Sequence, residues 1–311
     1  MDNNINVYGL DAVINFKTTA EEFIHERVCI DRLLEEYELP NDLKMSLIEK
    51  CKNHIFSDGE HLRIDQYGAD ELIGLVIEKL NYKQRSTEYQ LPSWMEKNET
   101  DWVTSLKRLY EEPVSCPFSL SPAQGELLRS IVLNKNPKVS VEIGCFIGIS
   151  SLWLGSGIRD SSNQGKLYSI DNFLPKFPVK RFYNDCIVNP IERISTAIEE
   201  ANLLETIELI AGSSESSFSI IKNLVRNAGI DILFIDGDHS IEGCKRDFEI
   251  YSTLMNKDGY IIFHDIFPDK CGHHGPRYVL DEIVGKSHNF VAIDLHTQPC
   301  DFGISIVKKV Y

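Results

Sequence analysis

From about residue 137 onward, short β-branched apolar runs alternate with stretches of helical period, and this alternation constrains the fold more than any other feature of the chain. The runs cover residues 139–143, 167–170, 207–210, 232–235, 260–263, 290–294 and 303–307. Between them lie amphipathic stripes such as Phe218, Ile221, Leu224 and Val225, or Cys244, Phe248, Tyr251 and Met255. Apolar strands separated by helices belong to a parallel sheet covered on both faces. About eight residues join the last two runs, too few for a crossover helix, so that pair is expected to be antiparallel. The expected class is α/β: a doubly wound, seven-stranded, mostly parallel sheet with one antiparallel strand.

The N-terminal third reads differently. Phe23, Ile24, Ile30, Leu33, Leu34 and Tyr37 form one helical stripe. Leu43, Leu47, Ile48 and Cys51 form a second, and Leu72, Ile73, Val76, Ile77 and Leu80 a third. The stretches ELPND (38–42) and FSDGEH (56–61) are turn signals between them. Residues 81–100 are polar and weakly patterned, as in a linker, and a helix carrying Trp102, Leu106 and Leu109 follows. No strand pattern stands out before residue 137. The expected organisation is a helical N-terminal cap or substrate domain over 1–115 and an α/β ligand-binding domain over 116–311.

A chain of 311 residues is long enough for both cores. Its formal charge of −15, with no Lys/Arg-rich run, argues against nucleic acid or an anionic membrane as partner. No apolar run approaches the ~20 residues of a membrane span, and the N-terminus lacks the basic and apolar regions of a signal peptide. The eight cysteines form no CxxC pair, and Cys29, Cys51 and Cys244 are placed on apolar helical faces. They read as reduced core thiols of a cytoplasmic protein. A homodimer is the assembly considered.

Open α/β sheets bind ligands beyond the carboxyl ends of their strands, so those ends are where chemistry is sought. The first ends in VEIGCFIGISS, with Glu142, Gly144 and Gly148 before a helix whose N-terminus offers N–H groups to an anion. The loop is neither GxGxxG nor a phosphate-binding loop with its lysine, which disfavours a dinucleotide or a nucleoside triphosphate. The second ends in LYSID, with Asp171 twenty-odd residues on, where an acid accepts ribose hydroxyls or simply caps a helix. The third ends in IAGSS; Ser213 and Ser214 either border a base edge or cap the next helix. The fourth ends in FIDGDHS and the fifth in FHDI, bringing Asp236, His239, His264 and Asp265 to the same side.

Taken in order, VEIGCFIG, LYSID, IAGSS, FIDGDHS and GYIIFHDI resemble a class I S-adenosylmethionine-dependent methyltransferase over about residues 120–311. Within that class they are similar to the small-molecule O-methyltransferases that include the catechol and macrolide-sugar enzymes. Phe146 stands where the family loop has its middle glycine, a departure this subgroup tolerates. The resemblance implies that Glu142, Gly144, Phe146 and Gly148 shape the methionine pocket and that Ser150 holds the cofactor carboxylate. It implies that Asp171 binds the ribose diol and that Ser213 and Ser214 border adenine. In metal-dependent members, positions matching Asp236, His264 and Asp265 hold a divalent ion, and the position of His239 holds the base. His264 stands where relatives have an oxygen ligand, which suits a softer ion than Mg²⁺, or none. In the metal-free case Asp236 would bind the amino group of the cofactor.

The implied reaction is methyl transfer from S-adenosylmethionine to a hydroxyl of a small, natural-product-like molecule, with Asp236 and His239 as catalytic residues. Two alternatives stay open: intramolecular alkylation of S-adenosylmethionine with release of methylthioadenosine, and a non-catalytic cofactor-binding interaction protein. The aromatic residues Phe146, Phe173, Phe177 and Tyr183 are candidates to stabilise a sulfonium by cation–π contact. The stretch 172–185 is a candidate lid. Cys271, His273 and His274 form a loop expected to border the substrate, or to hold zinc.

Overall fold

A computed structural model describes residues 89–112, 114–116, 118–173, 176–178, 186–188, 190–271, 273–297 and 301–311, with short pieces at 28–29, 45–46, 48–49, 52, 55–57 and 62–64. Two compact units are present: 1–85 with 180–184 and 267–273, and 86–179 with 185–266 and 274–311.

In the first unit, β1 (Val28–Cys29), β2 (Ile55–Ser57) and β3 (Leu62–Ile64) form an antiparallel sheet in the order β1-β3-β2. This corrects the expectation that no strand precedes residue 137, and it moves Cys29 from a helical face to a strand. β2 and β3 flank residues 58–61, with Phe56 paired to Arg63 and Ser57 to Leu62. Strands of two or three residues are too short to show alternation in the sequence. The stripes at 23–37 and 72–80 lie outside the described residues, as do Leu43, Leu47 and Cys51; Ile48 is helical.

The second unit is built on a seven-stranded sheet. Its strands are β4 (Val139–Ile143), β5 (Lys166–Asp171), β8 (Ile207–Ala211), β9 (Ile230–Ile235), β10 (Met255–His264), β11 (Phe290–Leu295) and β12 (Ile304–Lys309). Two shorter strands, β6 (Lys176–Pro178) and β7 (Cys186–Val188), pair separately as an antiparallel ribbon; β6 lies in the stretch 172–185 expected to be a lid and β7 just after it. The sheet order is β11-β12-β10-β9-β4-β5-β8. All neighbours from β10 to β8 are parallel, while β12 runs antiparallel to both β10 and β11. Ile232, Leu233, Phe234 and Ile235 of β9 are buried, which is why that strand reads as an unbroken apolar run.

The surrounding helices are α1 (Asp101–Tyr110), α2 (Pro122–Lys135), α3 (Ile149–Asp160), α4 (Pro190–Glu200), α5 (Ser214–Val225) and α6 (Ile241–Ser252). Serine side chains cap three of them: Ser121 on α2, Ser213 on α5 and Ser240 on α6, each accepting from a first-turn N–H. α3 instead begins at Gly148 (φ 94°), with no side-chain cap.

By compactness, residues 86–115 group with this second unit. The described part of the expected linker is packed. Tyr89 and Met95 are buried, and residues 93–96 form a helical turn. Trp102 meets Trp153 of α3 edge-on at 5.5 Å between ring centroids, and Trp94 lies 6.2 Å from each. Tyr110 accepts from Trp153 Nε1 at 2.9 Å and donates to the carbonyl of Leu120 at 2.9 Å. A few irregularly spaced aromatic anchors hold this segment, which is why a periodicity search passes over it.

Candidate functional site

The chain reverses direction across the sheet at β4, which has β5 on one side and β9 on the other. Such a switch point opens a crevice at the carboxyl ends of the strands. The ends of β4, β5, β8 and β9 are tied together there. Gly144 donates to Ile170, Gly212 to Asp171 and Asp236 to Ile143, each backbone bond being 2.9 Å long.

Glu142, the fourth residue of β4, is fully buried. Ser151 and Ser169 donate to its Oε2 at 2.5 and 2.6 Å, while Oε1 is buried without a hydrogen-bond partner. Burial pushes this carboxyl up to about 7, and the hydroxyls of Ser150, Ser151 and Ser169 work in the opposite direction. Ser150 is buried in the first turn of α3.

The glycine loop after β4 differs in one respect from its sequence reading. Gly144 (φ 83°) and Gly148 (φ 94°) need the left-handed region, as expected of glycine. However, a Cβ on Gly144 would lie 2.2 Å from the carbonyl oxygen of Asp236, and one on Gly148 2.6 Å from the Ile194 side chain. The space they leave is filled by the protein itself. What the loop presents to a ligand is the uncapped N-terminus of α3, a natural anion site. Phe146 (φ 48°), Phe173 (φ 44°) and Asp265 (φ 56°), all at strand ends, are among the non-glycine residues with positive φ; strain of this kind concentrates at functional sites.

Asp171 closes β5 and holds the loop. Its Oδ2 accepts from the N–H groups of Cys145 (3.0 Å) and Phe146 (3.2 Å), and its Oδ1 from that of Phe173 (2.9 Å). Ser213 is exposed and caps α5. Ser214 is buried and donates to Asp247 of α6. The side chains of Phe177 and Tyr183 lie outside the described residues.

Beyond β9 and β10 four titratable groups meet. His239 Nε2 lies 3.2 Å from Asp236 Oδ1 and 3.4 Å from Asp265 Oδ2. His264 Nδ1 lies 3.2 Å from Asp236 Oδ1 and 2.9 Å from Asp265 Oδ1, and its Nε2 lies 3.2 Å from Gln124 Oε1. Burial disfavours the charged form of both histidines. At His264, Asp265 and Asp236 outweigh burial and hold the imidazole well above its ordinary value; at His239, the hydrogen bond to Asp236 leads the upward pull. Burial also opposes ionisation of Asp236, but the charge of His264 prevails and keeps its carboxyl below the usual range.

The ligand atoms of Asp236, His264 and Asp265 all lie within 4.8 Å of one another. This set fits a divalent ion of mixed nitrogen–oxygen preference better than Mg²⁺. The thiol of Cys271 is taken up by its own turn, 3.2 Å from the Phe267 carbonyl and 3.4 Å from the His273 N–H. His274 precedes the short helix Gly275–Tyr278.

Two residues at or near this site escaped the sequence reading. Gln124 reaches His264 from the first turn of α2, and its signal was the capping box Ser121-Pro122-Ala123-Gln124. Asp247 is an acid on the buried face of α6, and nothing in its spacing announced it.

Residues 141–266 match a family model described as a methyltransferase domain. Among solved structures, the chain is similar to the O-methyltransferase from Bacillus cereus in complex with S-adenosylhomocysteine (TM-score 0.50, 18% identity), covering 75% of this chain and 96% of that one. It is also similar to the O-methyltransferase of tomaymycin synthesis from Streptomyces achromogenes in complex with S-adenosylmethionine (TM-score 0.51, 18% identity), covering 69% and 92%. A stretch of 51 residues is 49% identical to an uncharacterised protein of Acanthamoeba polyphaga mimivirus, spanning 16% of this chain and 22% of that one. Among the described residues, no helix is long and apolar enough to cross a membrane. Residues 141–266 are thus similar to a methyltransferase domain, and the seven-stranded fold is that of these solved neighbours.

Proposed function

We propose that this protein transfers a methyl group from S-adenosylmethionine to an oxygen of a small-molecule acceptor, with His239 as general base. The observation that carries the reading is the placement of His239 Nε2 between Asp236 and Asp265, beyond adjacent strand ends. Two carboxylates orient the ring, as a base that must meet an acceptor hydroxyl requires. The solved neighbours named as O-methyltransferases support oxygen as the acceptor atom by fold analogy.

S-adenosylmethionine supplies an electrophilic methyl group. The uncapped N-terminus of α3 would hold its carboxylate, and Asp171 its ribose hydroxyls through the acceptor capacity left after its three backbone contacts. Ser213 would border the adenine, a role that Ser214 shares less readily because its hydroxyl is committed to Asp247. Asp236, Asp265 and Nδ1 of His264 would hold a divalent ion, whose chemistry is to lower the pKa of a coordinated hydroxyl.

The test is to assay methyl transfer to a panel of hydroxylated acceptors after EDTA treatment, then after adding back Mn²⁺, Zn²⁺ or Mg²⁺. The reading expects activity restored best by a borderline ion and carried by hydroxyl acceptors. Transfer to amine acceptors alone contradicts it. Full activity in EDTA removes the ion and leaves His239 as the base.

A further inference from the structure

We propose that Gln124 is a positioning residue for the site: its amide oxygen accepts the Nε2–H of His264 and so turns Nδ1 toward Asp236 and Asp265. The inference rests on the reading of that cluster as the catalytic centre.

Three observations carry it. The first is orientation. The amide oxygen of Gln124 accepts from the Ser121 N–H at 3.0 Å, as one half of a capping box, and Ser121 Oγ accepts from the Gln124 N–H at 3.3 Å. A backbone N–H can only donate, so the atom that faces it is the oxygen and the amide cannot be flipped. The same oxygen lies 3.2 Å from His264 Nε2, which must therefore carry a proton. The second is direction. With Nε2–H committed to Gln124, the other ring nitrogen points between the two carboxylates, at 2.9 and 3.2 Å. A histidine held by a fixed acceptor on one nitrogen presents the other in one orientation, whether it bears a proton or meets an ion. The third is cost. Gln124 is fully buried, yet its amide nitrogen has no hydrogen-bond partner. A residue selected only to cap α2 would not bury an unsatisfied donor, because burying one is unfavourable. The oxygen of Gln124 makes a contact at His264 beyond its helix cap.

The geometry also separates Gln124 from its own helix cap. Ser121→Ala removes the serine half of the capping box while leaving the Gln124–His264 contact. Gln124→Leu removes the contact. Gln124→Glu keeps an acceptor oxygen in place and preserves the capping pattern, because glutamate serves at that position as glutamine does.

The experiment has two arms. Protein labelled with ¹⁵N-histidine is read by ring ¹⁵N–¹H correlation without any substrate, and the His264 signals are assigned by their loss in His264→Gln. Steady-state kinetics are then run on the same variants. The expected result is a protonated, slowly exchanging Nε2 in the wild type, Ser121→Ala and Gln124→Glu, and its loss in Gln124→Leu. In the kinetic arm, Gln124→Leu lowers kcat by about 10–100-fold, with the KM for S-adenosylmethionine changed by less than about 3-fold. Retention of the Nε2–H signal in Gln124→Leu overturns the proposal, as does its loss in Gln124→Glu. A fall in kcat in Ser121→Ala as large as in Gln124→Leu also overturns it, because the effect would then belong to the helix cap. The spectroscopic arm needs no turnover, so failure to find any acceptor would count against the proposed reaction and not against Gln124.

Discussion

Asp247 is buried on α6 with Ser214 donating to one of its oxygens, and burial pushes its carboxyl up to about 6. The sign of the consequence follows from linkage. The folded-state value lies above the unfolded one of about 3.9, so ionisation is disfavoured in the folded protein. Stability from this group is full below about pH 4, falls as pH rises toward about 6, and stays lost above. Asp247→Asn keeps an acceptor for Ser214 and removes the charge. Urea unfolding of wild type and variant should therefore give curves that coincide near pH 4 and diverge by up to about 3 kcal/mol in favour of the variant by pH 7. Parallel curves across that range would show that Asp247 does not ionise there. His239 carries the second prediction at this scale. Replacing it with alanine should lower kcat by about 10²–10⁴, as expected for loss of a general base, while calorimetry shows S-adenosylmethionine binding within about 3-fold of wild type. An undiminished kcat would remove His239 from the reaction. The cluster of Asp236, His239, His264 and Asp265 was legible in the sequence because adjacent parallel strands bring their carboxyl ends together. Gln124 was not, because its contact with His264 spans 140 residues and only the fold joins them.

Among the elements, α2 and α3 pack closest where Gly125 faces Trp153. A Cβ added at Gly125 would lie 2.1 Å from Trp153 Nε1, an approach no side-chain shift of a few tenths of an ångström relieves. Trp153 is itself fully buried and fixed by Tyr110 and Trp102. Gly125→Ala should therefore destabilise the protein by about 1–3 kcal/mol through overpacking, despite the gain of up to about 1 kcal/mol in helix propensity. A denaturation midpoint equal to or above wild type would show that the Trp153 ring moves freely. The long strands were readable because burial on both faces leaves β-branched runs unbroken, as in β9. The short strands β1 to β3 and the aromatic strap over 89–110 were not, since neither repeats long enough to set a period. The glycines of the β4–α3 loop mark an intermediate case. Positive φ could be inferred from residue type, but what occupies the space beside them, the Asp236 carbonyl and Ile194, could not.

For the whole molecule, the parallel run β10-β9-β4-β5-β8 brings five strand ends to one side of the sheet. The uncapped α3, Asp171 and the Asp236–His239–His264–Asp265 cluster are all borne by those ends. Asp171→Ala should weaken S-adenosylmethionine binding by about 1.5–3 kcal/mol, because it removes a charge-assisted acceptor and the anchor of the Cys145 and Phe146 N–H groups together. Unchanged affinity by calorimetry would exclude Asp171 from the cofactor site. The central claim, that the chain moves a methyl group from S-adenosylmethionine to a separate acceptor, is tested most directly by mass spectrometry of the products formed by the pure full-length protein. It should be incubated with S-adenosylmethionine alone and with a panel of hydroxylated small molecules. The account predicts S-adenosylhomocysteine and a methylated acceptor in equal amounts, and neither without an acceptor. Methylthioadenosine formed from S-adenosylmethionine alone would contradict it.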